Sequence, residues 1–395
     1  MRRREFVKGS LATSATLYGT SALGFGRINE ANSTINIGII GTGDRGGGLI
    51  PLINQISDLR ITACCDIIPF RLEEALSKAT GKVKGYSDYQ KLLEDKDVDA
   101  VLIATPFSTH AQIAIDALDT GKHVYCEKTL AKGYEGTCQL MKKGETSNRI
   151  FQTGHQYHSS RLYTHVVEQI KLGKIGKITA FDCQWNRNGN WRRPVPDPKW
   201  ERLINWRMYR EYSGGLLAEL CSHQLDFVNW VLEAAPEKVM GVGGIDYWKD
   251  GRETYDNIHL IYSYPKGIKA TFSCLTSNAL DDYKIRVLGD KGSYVLDYVK
   301  AWYYPEKYDQ KELGEVDGVS GATVNWEQGK GIPLEISHED PSKQALVDFR
   351  DSIFNDRQPV SNIHTGAKAA QCVQMGLDAM YQNKIEAWKS IVISE

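Results

Sequence analysis

The sequence predicts an α/β protein in two parts. A doubly wound parallel sheet comes first, followed by an α+β region built on a large, mostly antiparallel sheet. Three observations carry this. A short β-branched run, Thr34 to Ile40, feeds directly into a glycine-rich turn and a helical stretch. From there to Thr146, strand-like apolar runs alternate with helical ones, the pattern of a parallel sheet covered by helices. From Ile178 onward the runs lengthen, alternate with period two and are separated by hairpin turns.

Size and composition bound what such a protein does. The chain has 395 residues, which at about 150 per domain suits two domains with some chain to spare. Apolar residues make up 42%, enough for a sizeable core and too many for disorder. A net charge of −1 shows no basic excess, so neither a nucleic-acid nor an anionic-membrane partner is expected. No apolar run reaches the roughly 20 residues a spanning helix needs. The eight cysteines form no C-x-x-C pair, and several sit in apolar strand-like runs. They read as buried reduced thiols, not as a zinc or redox site.

Residues 1–32 are set apart from the fold. A charged start runs into a short, mildly apolar stretch, Leu11 to Gly26, the layout of a secretory signal. Arg3-Arg4-Glu5-Phe6-Val7-Lys8 resembles the twin-arginine export motif. That resemblance implies a protein exported to the periplasm already folded. A chain that loads a nucleotide inside the cell has a physical reason for this, because the ligand binds only the folded state.

The fold proper begins at Thr34, and residues 33–154 read as a dinucleotide-binding, Rossmann-type domain. The turn Gly41-Thr-Gly43-Asp44-Arg45-Gly46 is G-x-G-x-x-G. Gly41 permits the tight turn, Gly43 lets a pyrophosphate approach the backbone, and Gly46 lets helix and strand pack closely. The helix that follows offers unpaired N–H groups to phosphate, and Asp44 and Arg45 lie in the same turn. A second strand, Leu59 to Cys65, ends on Asp66, 20 residues past Gly46, where a carboxylate meets the adenine ribose hydroxyls. A carboxylate there repels a 2′-phosphate, so NAD is favoured over NADP, although Arg71 lies nearby. Helices are expected at Pro69 to Ala79, Asp88 to Leu93, Ser108 to Asp119 and Tyr134 to Thr146, and strands at Asp99 to Ala104 and His123 to Cys126. Thr105, Pro106, His110, Glu127 and Lys128 fall at or just past strand ends, where such sheets bind ligands.

Residues 155–395 read as the substrate-binding and oligomerisation domain. Strands are expected at Asn257 to Tyr264, Ile268 to Cys274, Tyr283 to Leu288 and Gly292 to Asp297, a long loop from Tyr303 to Leu334, and helices at Ser342 to Phe354 and Thr365 to Asn383. Glu219 and His223 lie four apart in a helix-compatible run, which places both on one helical face. A histidine is a natural acid or base near neutral pH. One carboxylate and one imidazole fall two ligands short of a metal site, so no metal is expected. The stretch Phe181 to Tyr212 holds Trp185, Trp191, Trp200 and Trp206 with Arg187, Arg192 and Arg193. Flat aromatic faces beside hydrogen-bonding groups suit a sugar. Tryptophan and arginine are equally enriched at subunit interfaces, so an oligomer contact is an alternative there.

Several of these segments together resemble the glucose–fructose oxidoreductase and inositol dehydrogenase family (Gfo/Idh/MocA). Gly121-Lys-His-Val-Tyr-Cys-Glu127-Lys128 resembles its G-K-H-V-x-x-E-K-P signature, and Gly214 to Asp226 its G-G-x-L-x-D-x-x-x-H-x-x-D segment. Two departures stand out: Thr129 replaces the proline and Glu219 the aspartate. The resemblance implies that Lys128 holds the reacting hydroxyl and helps move its proton, and that His223 accepts it. Glu219 is expected to orient His223 or to bind a substrate hydroxyl. His155 and Tyr157 lie on a segment that lines the cleft in the family, so either touches substrate or packs. With Trp191 and Arg192 they are the expected substrate contacts. The resemblance also implies a tightly bound NAD, a carbohydrate substrate, and a homodimer or homotetramer formed through the C-terminal sheet. A redox-neutral glycosidase, working through transient sugar oxidation, and a non-catalytic sugar-binding protein are the alternatives.

Overall fold

The computed structural model describes residues 34–306, 330–337 and 339–390. The leader expected at 1–32 lies outside them. Among the described residues the strands form two sheets of six and nine strands.

The first sheet alternates strand and helix: β1 (Ile35–Ile40), α1 (Asp44–Ile53), β2 (Leu59–Cys65), α2 (Pro69–Lys78), β3 (Lys84–Tyr86), α3 (Tyr89–Leu93), β4 (Ala100–Ile103), α4 (His110–Asp119), β5 (His123–Cys126), α5 (Gly133–Glu145) and β6 (Phe151–Thr153). The order is β3-β2-β1-β4-β5-β6, and every pairing is parallel. β1 and β4 lie side by side, and the chain leaves them towards opposite halves of the sheet. That is the switch point, where a crevice opens at the strands' carboxyl ends. The β-branched runs are buried on both faces: Ile37, Ile39, Val101 and Leu102 are all shielded from solvent. β3 escapes sequence reading because Lys84-Gly-Tyr86 has no apolar pattern.

The second part runs α6 (Arg161–Lys171), β7 (Ile178–Asn188), α7 (Glu201–Ile204), α8 (Ser222–Leu232), β8 (Lys238–Gly244), β9 (Asn257–Ser263), β10 (Lys269–Leu275), β11 (Ser277–Gly289), β12 (Gly292–Leu296), β13 (Ala301–Pro305), β14 (Ile332–Pro333), α9 (Pro341–Phe354), α10 (Ile363–Gln382) and β15 (Glu386–Ala387). The sheet order is β14-β13-β12-β11-β7-β10-β9-β8-β15, with β7–β10 a parallel pair. The loop expected from Tyr303 to Leu334 is corrected at both ends, because Tyr303 belongs to β13 and pairs with Ile332 of β14. Residues 307–329 lie outside the described residues.

Two C-terminal helices tie the parts together. Phe349 of α9 packs edge-on to Tyr125 of β5 at 5.7 Å. In α10, Ile363 and Ala367 join the core of the parallel sheet, while Val373 and Met375 join that of the antiparallel sheet. Each of the larger buried side chains contributes about 1.5–3 kcal/mol. The cysteines are all unbridged and, Cys138 apart, buried. No described helix is long and apolar enough to cross a membrane.

Candidate functional site

The glycine turn closes the carboxyl end of β1 against that of β4. A Cβ on Gly41 would stand 2.8 Å from the Ala104 backbone, and one on Gly46 only 1.9 Å from the Gly41 carbonyl oxygen. Neither position tolerates a side chain. Gly43, the N-cap of α1, supplies no side-chain acceptor to the first-turn N–H groups, which leaves them for a ligand's phosphates. Asp66 is buried beside this turn. Its Oδ2 accepts from the Thr42 N–H (2.8 Å) and hydroxyl (3.2 Å), and its Oδ1 from the Ile68 N–H (2.8 Å). The Arg71 guanidinium lies against Gly43. Free first-turn donors, a glycine cradle and a carboxylate at the tip of β2 fit a dinucleotide.

Other residues expected at this edge are already paired. Arg45 donates to Glu127 at 2.6 Å and to the Ser342 hydroxyl of α9 at 3.1 Å. Asp44 pairs with Arg193 at 3.1 Å. Both ring nitrogens of the buried His110 lie 2.9 Å from carbonyl oxygens, those of Thr105 and Thr129. His110 therefore ties the end of β4 to the segment after β5. The Thr105 hydroxyl accepts from Thr109, and the Pro106 carbonyl from the same hydroxyl.

Lys128 and Thr129 follow β5 and reach across to Leu217–Cys221. This segment winds as a π-helix immediately before α8. Such widened turns loosen the usual hydrogen-bond ladder and concentrate at functional sites. Here two successive carbonyls accept from outside the helix: Ala218 from the Thr129 hydroxyl (2.9 Å) and Glu219 from Lys128 Nζ (2.8 Å). The Glu219 carboxylate stands 3.9 Å from Lys128 Nζ and 3.2 Å from Arg207 Nε, and accepts from Ser213 at 3.4 Å. Burial pulls the Lys128 pKa down from 10.5, and Glu219 and Glu127 oppose it. The ammonium thus gives up its proton more readily than a surface lysine does.

Glu219 lies in the π-turn and His223 in the first turn of α8, and among the described residues no hydrogen bond joins the two side chains. His223 instead enters an aromatic setting. Its ring centroid lies 5.8 Å from His155, 5.1 Å from Tyr157 and 5.9 Å from Trp185. Burial holds its pKa well below 6.5, with Lys128, His155 and Arg45 adding to the effect. Burial also lowers His155. Among the described residues, His223 Nδ1, His155 Nε2 and Trp185 Nε1 are buried without a hydrogen-bond partner. Buried polar atoms of this kind cost about 1–3 kcal/mol each until something pairs with them. Asp226 is placed elsewhere, 2.8 Å from His158, and that imidazole with His155 holds its carboxyl low despite burial.

Of the remaining expected substrate contacts, Trp191 lies beside Arg187 with its backbone at φ +70°. Arg192 is committed to Glu201 and to Asp250 at 3.6 Å. Arg207, Ser213 and the Thr129 hydroxyl escaped sequence reading, since their role rests on contacts across 6 to 89 positions. Among the described residues no group of three or more His, Cys, Asp or Glu side chains is placed to hold a metal.

Comparison with known proteins agrees with this geometry. Residues 35–155 match the model of the oxidoreductase family's NAD-binding Rossmann fold, and residues 167–387 that of its C-terminal alpha/beta domain. The 2,7-anhydro-N-acetylneuraminate hydratase of Escherichia coli K12 is 30% identical over 67% of this chain and 68% of its own. An inositol 2-dehydrogenase of Salmonella typhimurium is 30% identical over 50% of this chain and 55% of its own. A levoglucosan dehydrogenase solved with NADH shares the fold with a TM-score of 0.70 and 18% identity, over 90% of this chain and 99% of that one.

Proposed function

Because the chain belongs to the Gfo/Idh/MocA oxidoreductase family, we propose that it oxidises a hydroxyl carbon of a sugar or sugar-like polyol with a tightly held NAD. The observation that carries this reading is the meeting of Lys128, at the end of β5, with the π-turn that leads to His223. When bound, the nicotinamide supplies the hydride acceptor. The Gly41–Gly46 turn and the α1 N-terminus hold its phosphates, and Asp66 meets the adenine ribose. Lys128 Nζ holds the reacting hydroxyl, and its lowered pKa lets it pass that proton on. His223, kept neutral by burial, receives the proton. Glu219 and Arg207 fix the lysine's position. His155, Tyr157 and Trp185 form the aromatic wall against the sugar ring.

A second reading is a redox-neutral elimination or hydration, in which the hydride returns to the product within one turnover. The similarity to a 2,7-anhydro-N-acetylneuraminate hydratase favours it. One experiment separates the two. Full-length protein is incubated with a panel of sugars and of aryl glycosides, and NADH and released aglycone are both recorded. The dehydrogenase reading predicts net NADH from free sugars. Aglycone without net NADH supports the second reading, and neither product overturns both.

Export by the twin-arginine route belongs to the same proposal, motivated by Arg3-Arg4 and by the need to load NAD before leaving the cell. So does a homodimer or homotetramer through the open sheet face. There Met240, Val242 and Ile261 are 52%, 61% and 42% exposed, a row of apolar side chains that a second copy would cover.

A further inference from the structure

β7 runs from the core to the site, and its alternation decides what faces the substrate. Phe181, Cys183 and Trp185 point into the core. Arg187 follows two residues on, past an irregularity in the β7–β11 register. Its guanidinium lies 5.5 Å from the Trp185 ring and 5.7 Å from that of Trp191. Tyr298 completes the box, 5.6 Å from Trp185 and stacked on Tyr283 at 4.5 Å. Trp185 in turn is the residue 5.9 Å from His223. Trp185 therefore borders both His223 and Arg187 and links the cation to the reacting group.

Arg187 has no carboxylate partner among the described residues, and it is only half exposed. Three other cations of this part of the chain are paired: Arg192 with Glu201, Arg252 with Asp250 at 2.7 Å, and Lys284 with Asp281. A half-buried guanidinium facing aromatic rings has lost hydration without gaining a counter-charge. Its planar fork matches a carboxylate in bidentate fashion. Trp185 Nε1, on the ring 5.5 Å away, is buried without a close hydrogen-bond acceptor among the described residues and is one more donor for the same ligand. A single free cation suits a monoanion better than a phosphate.

We propose that Arg187 binds the carboxylate of an acidic sugar, so that the substrate is of the uronic-acid class. This deepens the sugar-oxidoreductase reading and rests on it. The oxidation balances as before: a ring hydroxyl becomes a ketone, its carbon gives hydride to NAD, its proton goes to His223, and the carboxylate stays unchanged.

The test uses the full-length protein with NAD. Glucuronate, galacturonate and mannuronate are each compared with the matching neutral aldose and with the uronate methyl ester. Glucose 6-phosphate serves as the phosphate control. Binding is followed by quenching of tryptophan fluorescence, and turnover by NADH. At least one uronate is expected to bind about tenfold or more tightly than both its aldose and its ester, as a charge-assisted bidentate pair requires. Arg187→Gln should collapse that ratio to near one, and Arg187→Lys should restore part of it. Equal or weaker binding of every uronate overturns the acidic-sugar assignment, as does preference for the phosphate. NADH from neutral sugars alone overturns it while leaving the oxidoreductase reading standing. Preferential uronate binding with no NADH does the reverse. The wild-type acid-to-ester ratio decides the matter even if the variants fold poorly.

Discussion

The glycine-turn edge and the His223 pocket lie close together, and they treat buried polar groups in opposite ways. At the edge the side chains are already paired: Arg45 with Glu127, Asp44 with Arg193 at the surface, and the buried Asp66 with the Thr42 and Ile68 N–H groups. Across from it, His223 Nδ1, His155 Nε2 and Trp185 Nε1 are buried with no hydrogen-bond partner among the described residues. Internal pairs make the edge rigid in advance, so a ligand binds a preformed cradle. The pocket leaves these side-chain polar atoms unpaired, so their desolvation is offset only when substrate arrives. One region holds and the other discriminates. The Lys128–Thr129 pair joins them, clasping the two π-turn carbonyls.

That contrast can be broken at its strongest point first. Lys128→Met and His223→Asn should each lower kcat/KM by about 10²–10⁴-fold, the range for a lost proton-transfer group. Steady-state kinetics on correctly folded protein checks this, and a loss confined to KM would assign both residues to binding alone. Gly46→Ala comes next. Its Cβ would stand 1.9 Å from the Gly41 carbonyl oxygen, so helix and turn must separate. The expected cost is about 1–3 kcal/mol by denaturant titration, together with loss of NAD binding in calorimetry. Thr129→Val removes the hydroxyl that satisfies the Ala218 carbonyl and should cost about 1–3 kcal/mol. If stability falls but kcat does not, the clasp holds the fold without positioning Lys128.

The smallest effect is a displacement, not a loss. Burial lowers the pKa of both His155 and His223 from 6.5, so the unfolded chain takes up these protons first as pH falls. Stability should therefore decline as pH drops below 6.5. The base form of His223 persists below that point, so the acid limb of the kcat/KM profile should lie below 6.5. A limb at or above 6.5 that moves in His223→Asn would contradict a neutral, buried base.

The parallel sheet and its edge were legible because local chemistry dictates them. The spacing of Gly41, Gly43 and Gly46 is a backbone requirement, and Asp66 follows from the length of one strand–helix–strand unit. The pocket was legible only in composition. Its tryptophans and arginines could be counted, but their partners lie on other strands. Arg192 and Arg187 look alike in the sequence, yet Arg192 is consumed by Glu201 while Arg187 has no carboxylate partner among the described residues. The π-turn at Leu217–Cys221 was hidden, because an apolar run of good helix formers does not announce its winding. Only the Lys128 and Thr129 contacts from 89 to 91 positions away show what its carbonyls do.

The central claim, an NAD-dependent enzyme that carries its cofactor, is tested most directly by what the purified full-length protein contains. The protein is denatured and the supernatant assayed for NAD and NADP by mass spectrometry. The account predicts NAD in near-stoichiometric amount. An empty protein that also fails to bind added NAD would contradict it.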